Sequence, residues 1–232
     1  MSLTLKDKTA LITGASRGIG AAVARKFAAE GAHVILVART VGGLEEVDDD
    51  IQNAGGSATL VPLDLFDTAA IDGLAAPLLE RFKKLDILVG NAGMVGKLMP
   101  TQQYIPELWD QMFKLNVHAN WRLIRTLDPL LRQSEAGRAL FVTAAAAEET
   151  KQFWSGYAAS KAALEALVKT YAAEVTKTRL RVNLIDPGPT RTRLRAIAYP
   201  GEDPASHPAP EDRAQMFLDA VLSDANGTVI RG

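Results

Sequence analysis

Short apolar runs rich in β-favouring residues alternate along the chain with longer stretches of helical period. The runs with strand character are residues 9–13, 33–38, 58–63, 86–90, 139–143 and 181–185. Several are apolar at successive positions, as expected of strands that are buried on both faces. Between the first two, Ile19, Val23 and Phe27 repeat every four residues, which is a helical period. The alternation predicts βαβ units, and hence an α/β fold with a doubly wound parallel sheet.

The bulk properties of the chain suit this class. Its 232 residues fit one large open sheet, so we expect a single domain over residues 1–232. A net charge of −1 gives no reason to expect nucleic acid or a membrane as partner, and no apolar run approaches the roughly 20 residues that cross a bilayer. The chain has no cysteine, which excludes disulfides and thiolate metal sites. We expect a cytoplasmic protein without a metal that acts on a small molecule.

Two stretches that contain proline carry further expectations. Residues 106–133 predict a helix that Pro129 kinks. In residues 198–211 proline and glycine crowd together, so we expect neither helix nor strand there. This surface loop, within residues 190–211, is either a substrate loop or an irregular connection without a role.

A glycine-rich turn follows the first predicted strand. It reads Thr13-Gly14-Ala15-Ser16-Arg17-Gly18-Ile19-Gly20, and the next helix opens inside it. Glycines permit close approach of the backbone to a phosphate, and the amides and dipole at the helix N-terminus attract negative charge. The turn predicts a dinucleotide site, and the alternative is a tight turn without a ligand. The site residues expected here are Gly14, Ser16, Arg17, Gly18, Ile19 and Gly20.

Arg39 stands past the second predicted strand, where an NAD site usually carries an acid. A carboxylate would repel a 2′-phosphate, whereas a guanidinium can pair with it through two hydrogen bonds. Arg17 supplies a second cation on what we expect to be the same side. Together the two arginines favour NADP over NAD, and the alternative for each alone is a solvated surface charge.

Tyr157 and Lys161 stand four residues apart at the start of a strong helical pattern. Both side chains therefore emerge from one face of the helix. The cation should favour the phenolate and lower the pKa of Tyr157 towards neutrality. The pair predicts a proton donor and acceptor for the interconversion of a carbonyl and an alcohol.

Six motifs in order resemble those of the short-chain dehydrogenase/reductase family and span nearly the whole chain. They are the glycine turn, Asp64-Leu65, Asn91-Ala92-Gly93, Lys114-Leu115-Asn116-Val117, Tyr157-Ala158-Ala159-Ser160-Lys161 and Asp186-Pro187-Gly188. The resemblance implies a Rossmann-type sheet of about seven strands. It also implies hydride transfer between NADP(H) and a small molecule. A homodimer or homotetramer, paired through helices that begin near Pro106 and Gly156, is a further implication.

The same resemblance assigns roles near the cofactor. Asp64 and Leu65 contact the adenine, and the alternative for Asp64 is a helix N-cap. Asn91, with Ala92 and Gly93, borders the cofactor and ties the fourth strand to its neighbours. Residues 185–192 match the loop that receives the nicotinamide carboxamide. The cofactor residues in that loop are Pro187, Gly188, Thr190 and Thr192.

Asn116 matches the fourth catalytic residue of the family. In that role it interrupts its helix, so that a backbone carbonyl can hold a water that leads to Lys161. Lys161 by the same resemblance also binds the nicotinamide ribose. An exposed side chain without a role is the alternative for Asn116.

The chain departs from the family at Ala144, thirteen residues before Tyr157, where relatives usually carry a serine that holds the substrate oxygen. Thr143 is the candidate substitute, provided that the strand ends or bulges there. Ser155 is a second candidate, for which helix capping is the favoured alternative. Four accounts stay open: a working enzyme with a compensating group, a slow enzyme, an NADP(H)-binding sensor or scaffold without turnover, and an introduced substitution.

Overall fold

The computed structural model describes residues 4–232, which form one parallel sheet with helices on both faces. The strands are β1 (Thr9–Thr13), β2 (His33–Ala38), β3 (Ser57–Pro62), β4 (Ile87–Gly90), β5 (Arg138–Val142), β6 (Arg181–Asp186) and β7 (Val229–Arg231). Their order in the sheet is β3-β2-β1-β4-β5-β6-β7. The predicted doubly wound α/β fold is confirmed, and the six strands predicted from the sequence end within one residue of their observed bounds.

Nine helices of the described chain cover the two faces of the sheet. They are α1 (Gly18–Ala29), α2 (Val41–Asn53), α3 (Thr68–Asp72), α4 (Ala75–Phe82), α5 (Pro106–Phe113), α6 (Ala119–Arg132), α7 (Ser155–Glu174), α8 (Arg193–Ala198) and α9 (Pro210–Leu222). On one face, buried residues of α1, α2 and α9 pack together around Phe27, Leu44 and Phe217. On the other, α6 and α7 pack through Leu127 and Leu164. Each core thus closes one face of the sheet, as the apolar strands require.

The helix predicted over residues 106–133 runs from Pro106 to Arg132 in three parts. Between α5 and α6 the residues Lys114–His118 form a π-helix. The helix continues through Pro129. A π-helical segment widens the turn locally and often marks a functional position.

The expectation that residues 198–211 contain no regular structure is wrong at both ends. Ala198 is the last residue of α8, and Pro210 opens α9 as its first residue. Proline is favoured at the first position of a helix, because the amide that it lacks would have no helical partner there. Only the middle of the segment is irregular, apart from one turn of 3₁₀-helix at Pro204–Ser206.

The amino-terminal edge of the sheet is held by Asp86, just before β4. Its carboxylate is fully buried and accepts hydrogen bonds from the Thr9 amide at 3.0 Å, the Ser134 hydroxyl at 2.5 Å and the Lys84 ammonium at 3.0 Å. Burial alone would raise the pKa of Asp86, but the Ser134 and Lys84 donors outweigh it and hold the pKa below its ordinary value. The carboxylate therefore ties β1 and β4 to the end of α6.

Replacing Asp86 by alanine should lower the free energy of unfolding by about 3 kcal/mol at neutral pH, because buried donors lose their acceptor. A depressed folded-state pKa gives stability that is present above the unfolded-state pKa and is lost as the pH falls through the folded-state value. The difference between wild type and D86A should therefore shrink below about pH 4. Urea unfolding of both proteins at a series of pH values measures this difference in the free energy of unfolding.

Asp50→Ala is the matched control, since it removes the exposed partner of Arg25. Exposed ion pairs contribute about 0–1 kcal/mol, so this variant should stay close to wild type. Equal losses in the two variants would contradict the role assigned to Asp86.

Candidate active site

The carboxyl ends of the strands border a cleft of about 1380 Å³. It lies where β1 and β4 are neighbours and the chain leaves the sheet towards opposite faces, the position at which open α/β sheets bind ligands. The Thr13 hydroxyl oxygen accepts hydrogen bonds from the Asn91 amide at 3.0 Å and the Ala92 amide at 3.1 Å. The Asn91 side chain in turn donates to the Thr13 carbonyl at 2.9 Å. These bonds tie β4 to β1 at the centre of the cleft.

The glycine turn follows β1 and passes into α1. Gly14 and Gly18 have φ angles of +66° and +57°, which favour glycine. A Cβ on Gly20 would lie 2.3 Å from the Gly14 carbonyl oxygen, so the turn could not close around a larger residue. The N-cap residue of α1, Arg17, makes no side-chain cap. The first amides of α1 thus remain available to an anion.

Arg17 and Arg39 both line the cleft and are exposed. Arg39 lies 3.9 Å from the Asp64 carboxylate and 5.9 Å from the centre of the Phe66 ring. The alternative role for Asp64 as a helix N-cap is not observed, because Asp67 caps α3 instead. Asp64 accepts a hydrogen bond from the Phe66 amide at 3.0 Å and so shapes the turn after β3.

Nearly all of the residues that the sequence predicted for the site line this one cleft. They are Gly14, Ser16, Arg17, Gly18, Ile19, Arg39, Asp64, Leu65, Asn91, Ala92, Gly93, Thr143, Tyr157, Lys161, Pro187, Gly188, Thr190 and Thr192. Gly20 and Asn116 do not line it. Gly20 supports the turn from within α1, and Asn116 is buried beneath the residues that line the cleft.

Asn116 is fully buried in the π-helical segment. Its side-chain oxygen accepts from the Met94 amide at 2.9 Å, and its amide group donates to the Met94 carbonyl at 2.9 Å and to the Ser160 hydroxyl at 3.0 Å. Its backbone carbonyl accepts from the Asn120 side chain at 2.8 Å. Asn116 therefore joins the segment after β4 to α7, and an exposed side chain without a role is excluded.

Tyr157 and Lys161 lie on the inner face of α7, only 5% and 3% exposed. The Lys161 ammonium donates to the Val142 carbonyl at the end of β5 at 2.8 Å. It also lies 5.7 Å from the centre of the Tyr157 ring. The spacing of four residues thus brings both groups to the cleft, as predicted.

The predicted direction of the Tyr157 pKa is wrong. Burial raises the pKa of Tyr157 above its ordinary value, and the negative charge of Asp186 adds to the rise. Burial lowers the pKa of Lys161 to about 8, against the opposing charges of Asp186 and Glu165. An enclosed site next to a carboxylate disfavours the charged phenolate. At neutral pH the tyrosine therefore keeps its proton.

Ala144 follows β5 in an extended conformation, one residue before a turn of 3₁₀-helix at Ala145–Ala147. Thr143 next to it is not a free donor, although it lines the cleft. Its hydroxyl is buried and donates to the Glu165 carboxylate at 2.8 Å, and a hydroxyl carries one proton. The geometry thus argues against Thr143 as the substitute for a serine.

Ser155 does not replace the serine either. Its hydroxyl is buried without a hydrogen-bond partner among residues 4–232, and it does not line the cleft. The favoured capping role is also wrong, because Trp154 occupies the N-cap position of α7. Among the candidates named from the sequence, none donates a side-chain hydrogen bond beside Ala144.

Two buried acids lie near the site: Glu165, which the sequence did not single out, and Asp186, which it gave only as part of a motif and without a role. Glu165 lies one turn after Lys161 and accepts from both Thr143 and Lys169, each at 2.8 Å. Its spacing of four from Lys161 is the signal that could have identified it. Asp186 ends β6 and accepts from the Gly188 amide at 3.0 Å.

The loop after β6 is held by short polar contacts. The Thr190 hydroxyl donates to the Gly188 carbonyl at 3.1 Å. Thr192 caps α8 by accepting from the Arg195 amide at 3.2 Å. The loop thus presents residues 187–192 along one side of the cleft.

Residues 4–232 contain neither a candidate metal site nor a candidate membrane-spanning helix. No group of three or more histidine, aspartate or glutamate side chains there could hold a metal ion. No helix in that part of the chain is long and apolar enough to cross a membrane.

The chain matches known proteins along most of its length. A family model described as short chain dehydrogenase matches residues 8–202. Over 224 residues the chain is 36% identical to the uncharacterized oxidoreductase YciK of Escherichia coli K12. The match covers 95% of this chain and 88% of that protein.

Two solved structures share the fold closely. One, described as a short chain dehydrogenase from Pseudomonas syringae, has a TM-score of 0.96 at 38% identity and covers 100% of this chain and 96% of that chain. Another, from Shigella flexneri and complexed with NADP, has a TM-score of 0.95 at 34% identity, and the match covers 100% of this chain and 99% of that chain. With the family model spanning most of the sequence, the chain belongs to the short-chain dehydrogenase family.

Proposed function

We propose that this protein is an oxidoreductase that transfers a hydride between NADP(H) and a carbonyl or alcohol group of a small molecule. The observation that carries the proposal is that Tyr157 and Lys161 face the same cleft as the glycine turn. Coupled hydride and proton transfer needs a proton donor beside the bound nucleotide. The bound NADP of the Shigella flexneri structure supports the choice of cofactor.

The residues around the glycine turn fit a dinucleotide. The close packing at Gly20 and the uncapped start of α1 leave backbone amides for the pyrophosphate. Arg17 and Arg39 would hold the 2′-phosphate, and Asp64 with Leu65 would border the adenine. At the other end Tyr157, Lys161 and residues 187–192 would hold the nicotinamide ribose and carboxamide.

The buried tyrosine is suited to deliver a proton. The reduced nicotinamide, when bound, supplies the hydride that the carbonyl carbon accepts. Tyr157 donates its proton to the carbonyl oxygen as negative charge develops there. Its raised pKa keeps that proton in place at neutral pH. For the reverse reaction the phenolate must form, and the nearby cation of Lys161 favours it.

Asn116 acts as a positioning residue in this proposal. It bonds Ser160, whose hydroxyl donates to the Tyr157 carbonyl at 2.8 Å. The network thereby fixes the first turns of α7, from which Tyr157 and Lys161 project. The Asn116 carbonyl accepts from the Asn120 side chain, and in the proposed role it would also hold a water on a path to Lys161.

Ala144 favours a second candidate function, an NADP(H)-binding sensor or scaffold without turnover. A missing oxyanion donor typically costs a factor of about 10² to 10³ in rate, so the reaction is slowed and not abolished. The retention of Tyr157 and Lys161 on the cleft favours the enzyme over the sensor.

We further propose that the protein assembles as a homodimer or homotetramer through the helices that begin near Pro106 and Gly156. Ile105 and Trp121, beside α5 and within α6, are each 44% exposed. Burying such side chains between subunits is favourable.

Arg39→Ala should weaken NADPH binding by about tenfold to a hundredfold, because hydrogen bonds to charged groups contribute about 1.5–3 kcal/mol. NADH binding should hardly change, since NADH lacks the 2′-phosphate. Calorimetric titration of both nucleotides measures the effect. Arg25→Ala, which removes an exposed cation of α1, is the control. Tighter binding of NADH than of NADPH by the wild type would refute the assignment of the two arginines.

Ala144→Ser should raise the rate of carbonyl reduction by about 10² to 10³, since it adds a donor to the developing oxyanion. NADPH consumption with a panel of aldehydes, ketones and quinones measures the gain. Ala147→Ser is the matched control, because Ala147 lies in the 3₁₀ turn that follows Ala144 but does not line the cleft. If neither wild type nor A144S turns over any substrate while NADPH binds, the sensor is the correct function.

A further inference from the structure

The part of the cleft next to Tyr157 is apolar. Tyr157 belongs to a separate buried cluster with Val95, Met112 and Ala146, and other apolar side chains pack against it. Besides Tyr157 and Trp154, the members that line the cleft are Met94, Val95, Ala144, Ala146, Leu194 and Ala198. The Ala144 methyl group thus completes an apolar surface at the position where a serine would have placed a hydroxyl.

Two aromatic rings extend this surface, and we call Trp154 and Tyr199 the aromatic wall. The Trp154 ring lies 5.8 Å from the Tyr157 ring, at an interplanar angle of 68°. The Tyr199 ring lies 5.6 Å from that of Trp154. Since Tyr199 follows α8 directly, the aromatic wall joins the proton donor to α8.

Charged side chains hold the aromatic wall in place. The Arg195 guanidinium lies 3.9 Å from the centre of the Tyr199 ring, and the Lys151 ammonium lies 4.7 Å from it. Such cation–π contacts fix a ring, because the cation is attracted to its face. Arg195 also makes two hydrogen bonds of 2.6 Å each to Glu202, so its charge is compensated within the protein.

We call the apolar part of the cleft beside Tyr157, together with the aromatic wall, the pocket. Polar side chains at the pocket form hydrogen bonds with one another. Lys151 bonds the Tyr199 hydroxyl, and Arg195 bonds Glu202. The other charged side chains that line the cleft next to these residues, Glu149, Arg191 and Arg193, are exposed to solvent. A polar substituent against the aliphatic side chains beside Tyr157 would lose its hydration without gaining a partner there, whereas an apolar one would gain from burial.

We propose that the pocket binds a bulky apolar group, aryl or medium-chain alkyl, attached to the reacting carbon, and that Trp154 and Tyr199 determine its size. The inference rests on the proposed function, because it names the substrate class of the same site. The substrates are accordingly aromatic or medium-chain alkyl carbonyl compounds, and short or polyhydroxylated ones are poor.

Binding without turnover tests this directly. Protein saturated with NADPH cannot oxidise an alcohol, so alcohols serve as unreactive ligands. Benzyl alcohol and 1-octanol should bind at least about tenfold more tightly than 1-propanol, as expected of a hydrophobic pocket. Saturation-transfer NMR with displacement titration measures the three affinities. Equal affinities within about twofold would overturn the proposal.

Variants assign the preference to this pocket. Trp154→Ala and Tyr199→Ala should each weaken the binding of benzyl alcohol by about tenfold and leave 1-propanol nearly unchanged. Ala198→Phe, which fills the pocket without removing a contact of the wall, should likewise exclude the bulky alcohols. Leu79→Ala on α4, an exposed apolar side chain away from the cleft, is the control. Unaltered binding in all three pocket variants would overturn the assignment.

Turnover separates this inference from the proposed function. If the alcohols bind in the predicted order but no aldehyde is reduced, the proposed function fails and the pocket preference stands. If short and bulky aldehydes are reduced with equal kcat/KM, the proposed function stands and the pocket preference fails.

Discussion

The hydrogen bonds between Thr13 and Asn91 are the constraint on which the site depends. They join β1 and β4 at the carboxyl edge, where the chain diverges to the two faces of the sheet. Because the strands are parallel, the turns that follow β1, β4, β5 and β6 all open at this edge. The glycine turn, the segment that Asn116 holds, Ala144 and residues 187–192 meet there for that reason. A shift of either strand would separate the glycine turn from Tyr157.

Burial determines the chemistry of this edge. Tyr157 and Lys161 are almost completely enclosed, and enclosure disfavours the charged form of each, so burial raises the pKa of Tyr157 and lowers that of Lys161, and the two values move apart. Asp186 and Glu165 oppose part of this effect at Lys161, because their negative charges favour the ammonium form. The same enclosure makes the pocket beside Tyr157 apolar. The enclosed Tyr157 and Lys161 and the aromatic wall are therefore consequences of one packing arrangement around the start of α7.

The parts of the structure that depend on local pattern could be predicted from the sequence. Strands that are buried on both faces appear as apolar runs. The glycine spacing of the turn and the four-residue spacing of Tyr157 and Lys161 each determine a local geometry directly. Pro210 misled the prediction because a proline can end a helix or begin one, and only the packing of α9 decides between them. The pKa of Tyr157 and the partner of Thr143 depend on burial and on Glu165, which is distant from Thr143 in sequence. Such contacts leave no local signal.

We propose that Tyr157 couples proton transfer to hydride transfer although Ala144 offers no hydroxyl. Deuterium transfer tests it most directly. The protein is incubated with NADPH deuterated at the transferable position and with an aromatic aldehyde, and the alcohol is analysed by mass spectrometry. The account predicts an alcohol that carries one deuterium at the former carbonyl carbon, formed at least about a hundredfold more slowly by Tyr157→Phe. Saturating NADPH binding without deuterium in any alcohol, or equal rates for wild type and Y157F, would contradict it.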